Sequence, residues 1–147
     1  MYLALKDLES LFNNSRGIQD NLFFVTVSDT AQISQPKGLY ISYHGKPGDL
    51  SEAITNGAIA AIWDQGEEVP SYTPNHFPIF FTVDPAEAIV TLLKRYLEKL
   101  NGETDEIMEI TNFKFSHKEL LNKNKQTYDI AVMLNKITSK NPAERRG

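Results

Sequence analysis

The most constraining stretch of the chain is DLSEAITNGAIAAIWD, Asp49 to Asp64. A polar, helix-like run stops at Asn56-Gly57 and passes without a linker into an apolar run closed by an aspartate. Gly57 can take positive φ at little steric cost, so it suits the residue just past a helix end. Ala58 to Trp63 then reads as a short strand of the kind covered on both faces of a parallel sheet. A helix welded to a buried strand commits the chain to packed α/β layers.

The same alternation runs on either side of the weld. Leu3, Leu5, Leu8, Leu11 and Phe12 recur at helical spacing, which predicts an amphipathic helix over residues 2–13. NLFFVTVSD (Asn21–Asp29) is rich in aromatic and β-branched residues and predicts a strand. The polar loop TAQISQPK leads to a second strand, GLYISYHG. After the weld comes a Pro-containing loop, QGEEVPSYTPNHFP, and then the strand IFFTVD. Asp84 stands at an N-cap position before Pro85, and the stripe Ile89, Leu92, Leu93, Tyr96, Leu97, Leu100 predicts the clearest helix in the chain. Asn101-Gly102 ends it.

Beyond Gly102, EIMEITNF predicts one more strand. Leu120 and Leu121 predict a short helix, and Ile130, Met133, Leu134 and Ile137 a second. TSKNPAERRG reads as a frayed tail. The expected fold is a small layered α/β domain over residues 1–102. Its sheet should be mostly parallel, of about four to five strands flanked by helices, with residues 103–147 as a strand and helical appendage.

A length of 147 residues allows one ordinary domain with a real core. Cysteine is absent, which removes disulfides, thiolate zinc sites and thiol nucleophiles. Lys6, Asp7, Glu9 and Arg16 interrupt the first apolar residues, so no signal-peptide core is visible. No apolar run approaches the ~20 residues of a membrane span. A cytoplasmic location with no membrane span is the expectation. Residues 1–93 hold 4 basic and 11 acidic side chains, and residues 94–147 hold 11 basic and 8 acidic. An acidic front half argues against a nucleic-acid groove, which relies on neutralising phosphates. Trp63, Tyr72, Phe77, Phe80 and Phe81 lack the basic interleaving of a base-stacking platform and read as core and sheet cover.

Taken in order, KGLYISYHG, DLSEAITNGAIAAIWD and FPIFFTVDPAEAIVTLLKRYLEKL resemble the N-terminal domain of the Mur ligases, over roughly Phe23 to Leu100. Those enzymes add amino acids to UDP-N-acetylmuramic acid in peptidoglycan synthesis at the expense of ATP. The similarity is closest to the branch adding the third residue and the final dipeptide. In that family a strand ending in Asp-Ser-Arg precedes a Gly-x-Leu-Phe strand. A turn, a helix ending in Asn-Gly-Ala, a hydrophobic strand and a Val-x-Asp before a long helix follow. Asp29-Thr30 falls on the Asp-Ser pair, Gly38-Leu39-Tyr40 on the next strand, and Gly45 on the turn. Asn56-Gly57-Ala58 falls on the helix end, and Val83-Asp84 precedes the long helix. The resemblance implies a cytoplasmic protein of cell-wall synthesis that binds a UDP-N-acetylmuramyl precursor.

The departures are specific. The family's arginine after Asp-Ser is Ala31 here, and its Asp-Gly-His segment is replaced by KPGD. Loss of a guanidinium removes a bidentate grip on phosphate or carboxylate. The ligases continue into a glycine-rich P-loop whose amides cradle ATP phosphates. The matching place here is EITNFKFSHKEL, and no glycine occurs between Glu103 and Arg146. Phe113 and Phe115 read as anchors onto the sheet. This chain alone is therefore not expected to be an ATP-dependent ligase, and no cofactor and no catalytic residue are assigned.

The implied ligand-binding residues are Asp29, Thr30, His44 and Gly45. From the residues alone, Asp29 and Thr30 read first as turn-capping oxygens, ahead of a nucleotide-sugar pocket, and His44 first as a surface imidazole at a strand end, ahead of a ligand contact. His44, His76 and His117 are too scattered for a local metal site. Asp49 with Glu52 reads as a helix-start capping arrangement, Glu67-Glu68 as a solvated loop, and FSHKE lacks a nucleophile elbow. Three functions stay open. The first is a stand-alone, non-catalytic relative of the Mur ligase N-terminal domain, binding the precursor or, if the pocket is lost, a protein partner. The second is the substrate-binding piece of a split ligase completed by a separate P-loop ATPase chain, and the third a structural adaptor.

Overall fold

The computed structural model describes residues 2–17, 21–42, 48–101, 110–116 and 130–138. Eight strands and four helices are described. They are β1 (Leu3–Ala4), α1 (Leu5–Leu11), β2 (Ser15–Arg16), β3 (Phe23–Phe24), β4 (Thr26–Ser28), β5 (Gly38–Ile41) and α2 (Asp49–Thr55). β6 (Ala58–Asp64), β7 (Ile79–Thr82), α3 (Pro85–Asn101), β8 (Asn112–Lys114) and α4 (Ile130–Thr138) follow. The main sheet has six strands in the order β2-β7-β6-β5-β4-β8. Every pairing in it is parallel except the edge pairing of β2 with β7. The fold is the expected mostly parallel α/β layer. The sixth strand is β2, a two-residue edge piece in the segment expected only to end the first helix.

The chain runs outward through β4, β5, β6 and β7. It then crosses back by way of α3 to lay β8 on the free side of β4, with Val27 opposite Phe113. β8 is thus an edge strand of the same sheet, and α4 packs on α3. Ile130, Met133 and Ile137 of α4 join the main core. The short helix expected at Leu120–Leu121 and the tail lie outside the described residues.

Side chains alternate across the sheet as strand geometry requires. Leu39, Ile41, Ala60, Ile62 and Phe80 point to one face, where they meet Leu5 and Leu8 of α1 and the stripe of α3. Tyr40, Ala61, Trp63 and Ile79 point to the other, against Leu50 and Ala53 of α2.

Two local expectations give way to tertiary partners. The helix begins at Leu5, because Leu3 and Ala4 pair antiparallel with Phe24 and Phe23. The Leu3 N–H donates to the Thr111 hydroxyl at 2.9 Å. NLFFVTVSD is likewise two strands in two sheets, broken at Val25. There the backbone N–H bonds Lys37 and the carbonyl takes the Asn112 N–H.

The weld is as expected, and the fold adds a reason for it. Gly57 has φ of 118°, and a Cβ there would lie 2.6 Å from the Gln35 carbonyl oxygen. The Asn56 carbonyl accepts the Gln35 N–H, and its side-chain amide donates to the Ala31 carbonyl at 2.8 Å. The helix end is therefore also a seat for the loop that follows β4.

Candidate functional site at the carboxyl ends of the strands

In open α/β sheets ligands bind outside the carboxyl ends of the strands, where neighbouring connections leave toward opposite faces. β4 and β8 meet that condition. The chain after β4 turns to the α2 face, with Ala31 buried among Tyr40, Leu50 and Ala53. The next described element after β8 is α4, on the α3 face. Asp29 and Thr30 follow β4 directly, and Phe115-Ser116 follow β8.

Asp29 is buried, with 3% of its surface exposed. Its Oδ1 accepts the Ser116 backbone N–H at 2.8 Å, the Thr30 hydroxyl at 3.0 Å and the Ser116 hydroxyl at 3.3 Å. Thr30 Oγ1 and Ser116 Oγ lie 2.6 Å apart. The Thr30 backbone is fixed from both sides. Its N–H donates to Ser28 Oγ, and its carbonyl accepts from the Ser28 hydroxyl and the Gln35 side-chain amide, each at 2.9 Å. Gln35 is fully buried, and its Oε1 has no hydrogen-bond partner. The oxygens that cap the turn thus also line this end of the sheet, with the carboxyl group behind and the hydroxyls toward solvent.

The α2 side of this end is acidic and tightly bonded. Gln32 Nε2 donates to Asp49 Oδ1 at 3.2 Å and to Glu52 Oε2 at 3.1 Å. Asp49 is the first helical residue, behind Gly48 at the cap, a residue with no side chain to cap with. The two carboxylates therefore hold the preceding loop from the helix start at which the sequence places them. The buried Tyr40 hydroxyl bonds Ser42. Burial, reinforced by the nearby Asp49 charge, raises its pKa well above the ordinary phenol value. Asp84 does act as expected, accepting the Ala86 and Glu87 N–H groups at the start of α3.

His44 and Gly45 lie outside the described residues. Phe113 lies in tilted contact with Tyr96 and Phe115, with ring centroids 5.7 and 5.9 Å away. Lys114 reaches across to the Ser34 carbonyl at 3.3 Å. The segment expected where a P-loop would stand is thus an aromatic-anchored edge strand whose serine closes onto Asp29. Ser116 and Gln35 were not assigned from sequence. The link of Ser116 to Asp29 depends on a strand pairing and spans 87 residues of sequence, which no local pattern reveals.

Among the described residues no group of three or more His, Asp or Glu side chains could hold a metal ion, and no helix is long and apolar enough to cross a membrane. A separate cleft of about 310 Å³ is lined by Asp7, Arg95, Glu98 and Lys99. Asp7 and Lys99 in it brace the first residues of the chain. Asp7 Oδ2 accepts the Ala4 N–H at 2.9 Å and the Lys99 ammonium at 3.0 Å, and Lys99 also donates to the Tyr2 carbonyl. Comparison with models of known protein families and with curated proteins found no match.

Proposed function

We propose that the chain is a non-catalytic binding module related to the N-terminal domain of the Mur ligases, and that its ligand is a UDP-linked cell-wall precursor. The observation that carries this reading is the position of Asp29 and Thr30. The pair that the resemblance puts on the family's Asp-Ser lies at the switch point of an open parallel sheet, beside β8. The segments that carry the resemblance are consecutive strands and helices of one layer. The edge strand at the P-loop position supports a role without ATP chemistry in this chain. A phosphate cradle needs successive amides free to face the nucleotide, whereas the Ser116 N–H is bonded to Asp29 and the Asn112 N–H to Val25.

Calorimetry with UDP-N-acetylmuramyl peptides tests the reading. Saturable heat is expected, and no heat at millimolar ligand removes the nucleotide-sugar function. Mg-ATP is expected to leave the melting temperature unmoved, since a ligand stabilises only the state it binds. A dose-dependent rise would restore the split-ligase alternative.

A further inference from the structure

We infer that Asn56 is a deamidation site that the native fold holds shut and that unfolding opens. The weld between α2 and β6 can then be remade only by a chain whose Asn56 amide is intact. Asn56 is followed by Gly57, which has no Cβ to shield its backbone nitrogen. In an unrestrained Asn-Gly pair that nitrogen attacks the asparagine side-chain carbon, Cγ. The new N–Cγ bond closes a five-membered succinimide, and Nδ2 leaves as ammonia with the amide proton of the glycine. Water then opens the ring. Its attack at Cγ gives aspartate, and its attack at the backbone carbonyl carbon gives isoaspartate, whose main chain runs through the former side chain. In either case the glycine nitrogen regains a proton, and no co-reactant besides water is consumed.

The fold opposes ring closure from every side. Closure needs the Gly57 nitrogen turned toward the Asn56 side chain about the Cα–C bond. The Asn56 ψ of 2° instead eclipses it with Asn56's own backbone nitrogen, one tetrahedral step away from Cβ. The Gly57 N–H is bonded to the Ile54 carbonyl at 3.1 Å, and the leaving group Nδ2 to the Ala31 carbonyl at 2.8 Å. Turning ψ would also carry the Asn56 carbonyl away from the Gln35 N–H, 2.9 Å from it. The reaction therefore waits until the helix end and the loop seated on it open together. The products cannot restore these bonds. Aspartate at this position has no N–H for the Ala31 carbonyl, and it adds negative charge at the carboxyl end of α2. Isoaspartate adds a methylene to the main chain just where Gly57 turns, at φ of 118°, under the Gln35 carbonyl. The Gln35 side chain holds the Thr30 carbonyl, so the loss reaches the carboxyl end of β4.

The test incubates the full chain at mildly alkaline pH, folded in buffer and unfolded in urea, and follows Asn56 by peptide mass spectrometry. The chain's second Asn-Gly pair, Asn101-Gly102, is the clock for the urea arm. In urea both asparagines should convert at similar rates. In buffer Asn56 should convert at least about tenfold more slowly than in urea, because only the open form reacts. The exposed Asn101 is then replaced, as Asn101→Gln, so that Asn56 is the one Asn-Gly asparagine left. After urea treatment this variant is separated chromatographically into intact and isoaspartyl fractions, and each is returned to buffer. The intact fraction should regain the native amide signals of Thr30 and Ser116, and the isoaspartyl fraction should not, since the chemical step makes unfolding irreversible. The inference is overturned if folding slows Asn56 by less than about tenfold. It is equally overturned if Asn56 survives in urea while Asn101 converts, or if the two fractions recover alike.

Discussion

On the face carrying α1, α3 and α4, the sheet is covered by large apolar side chains, among them Leu92, Leu93, Tyr96, Phe24 and Phe80, all fully buried. On the face carrying α2, the buried cluster is smaller and includes Ala31, Ala53, Ala58 and Ala61. The difference in volume is made up by the loop 29–37. That loop is held by polar bonds from Gln32, Gln35 and Asn56 to carboxylates and carbonyls. Apolar burial scales with area and tolerates some repacking. Buried polar bonds depend on direction, and losing one partner leaves the other unsatisfied. The first face therefore supplies most of the stability, and the second fixes the orientation of Asp29 and Thr30.

The largest expected effect removes a whole layer from the first face. A chain ending at Asn101 loses β8 and α4, uncovering β4 along one side and the α3 stripe where Ile130, Met133 and Ile137 sit. It should show no cooperative urea transition. A sharp, reversible transition in that truncated chain would make the second half an accessory and break the comparison. Leu93→Ala should cost about 3 kcal/mol in urea unfolding, the usual range for a fully buried leucine. A cost below about 1 kcal/mol would mean that this face is not the main source of stability.

Gly57→Ala tests the second face. It places a Cβ against the Gln35 carbonyl at a backbone angle disfavoured for side chains, so about 2 kcal/mol should be lost. Because Gln35 also holds the Thr30 carbonyl, amide shifts should spread to Thr30 and Ser116, whereas those of Leu93→Ala should stay on the α3 side. Shifts confined to Gly57 and its neighbours would show that the loop does not transmit strain.

The smallest effect at neutral pH compares one tyrosine from each face. Tyr40 and Tyr96 both have pKa values raised, first by burial, above the ordinary value near 10. A raised folded-state value means that the native chain keeps its proton longer than the unfolded chain. This contribution is fully present below pH ~10 and is lost as pH rises past the unfolded value toward the folded one. Urea midpoints should thus hold level to about pH 9 and fall above it. Tyr40→Phe and Tyr96→Phe should each flatten the fall. Tyr96→Phe should also cost about 1 kcal/mol at pH 7, since its hydroxyl accepts the buried Thr111 N–H. An unchanged alkaline slope in both variants would assign the fall to other groups.

What could be read from the sequence follows the range of the forces involved. The weld at Gly57, the cap at Asp84 and the stripe of α3 are set within a few residues, and each forms where local chemistry puts it. The alternation of Leu39, Tyr40 and Ile41 likewise exposes both faces of a parallel strand. The first helix was read too long because the Leu3–Ala4 pairing with Phe23–Phe24 and the bond to Thr111 come from distant parts of the chain. Of the site residues, Asp29 and Thr30 came from the resemblance, whereas their partners Ser116 and Gln35 depend on which strand lies beside which. Asp49 and Glu52 show the same limit, because their bonds to Gln32 cross space from a loop 17 and 20 residues away.

The position of β8 has a further consequence for how the molecule is made. β4 leaves the ribosome well before its second neighbour, which is translated last among the described strands. Until then the nascent chain carries a hydrophobic strand with one row of amides and carbonyls uncovered, the kind of edge that recruits other chains. Contacts of such long sequence separation also close slowly. The bonds from Ser116 to Asp29 can appear only after that closure. The arrangement of Asp29 and Thr30 at this end of the sheet is thus completed only after β8 has emerged and paired.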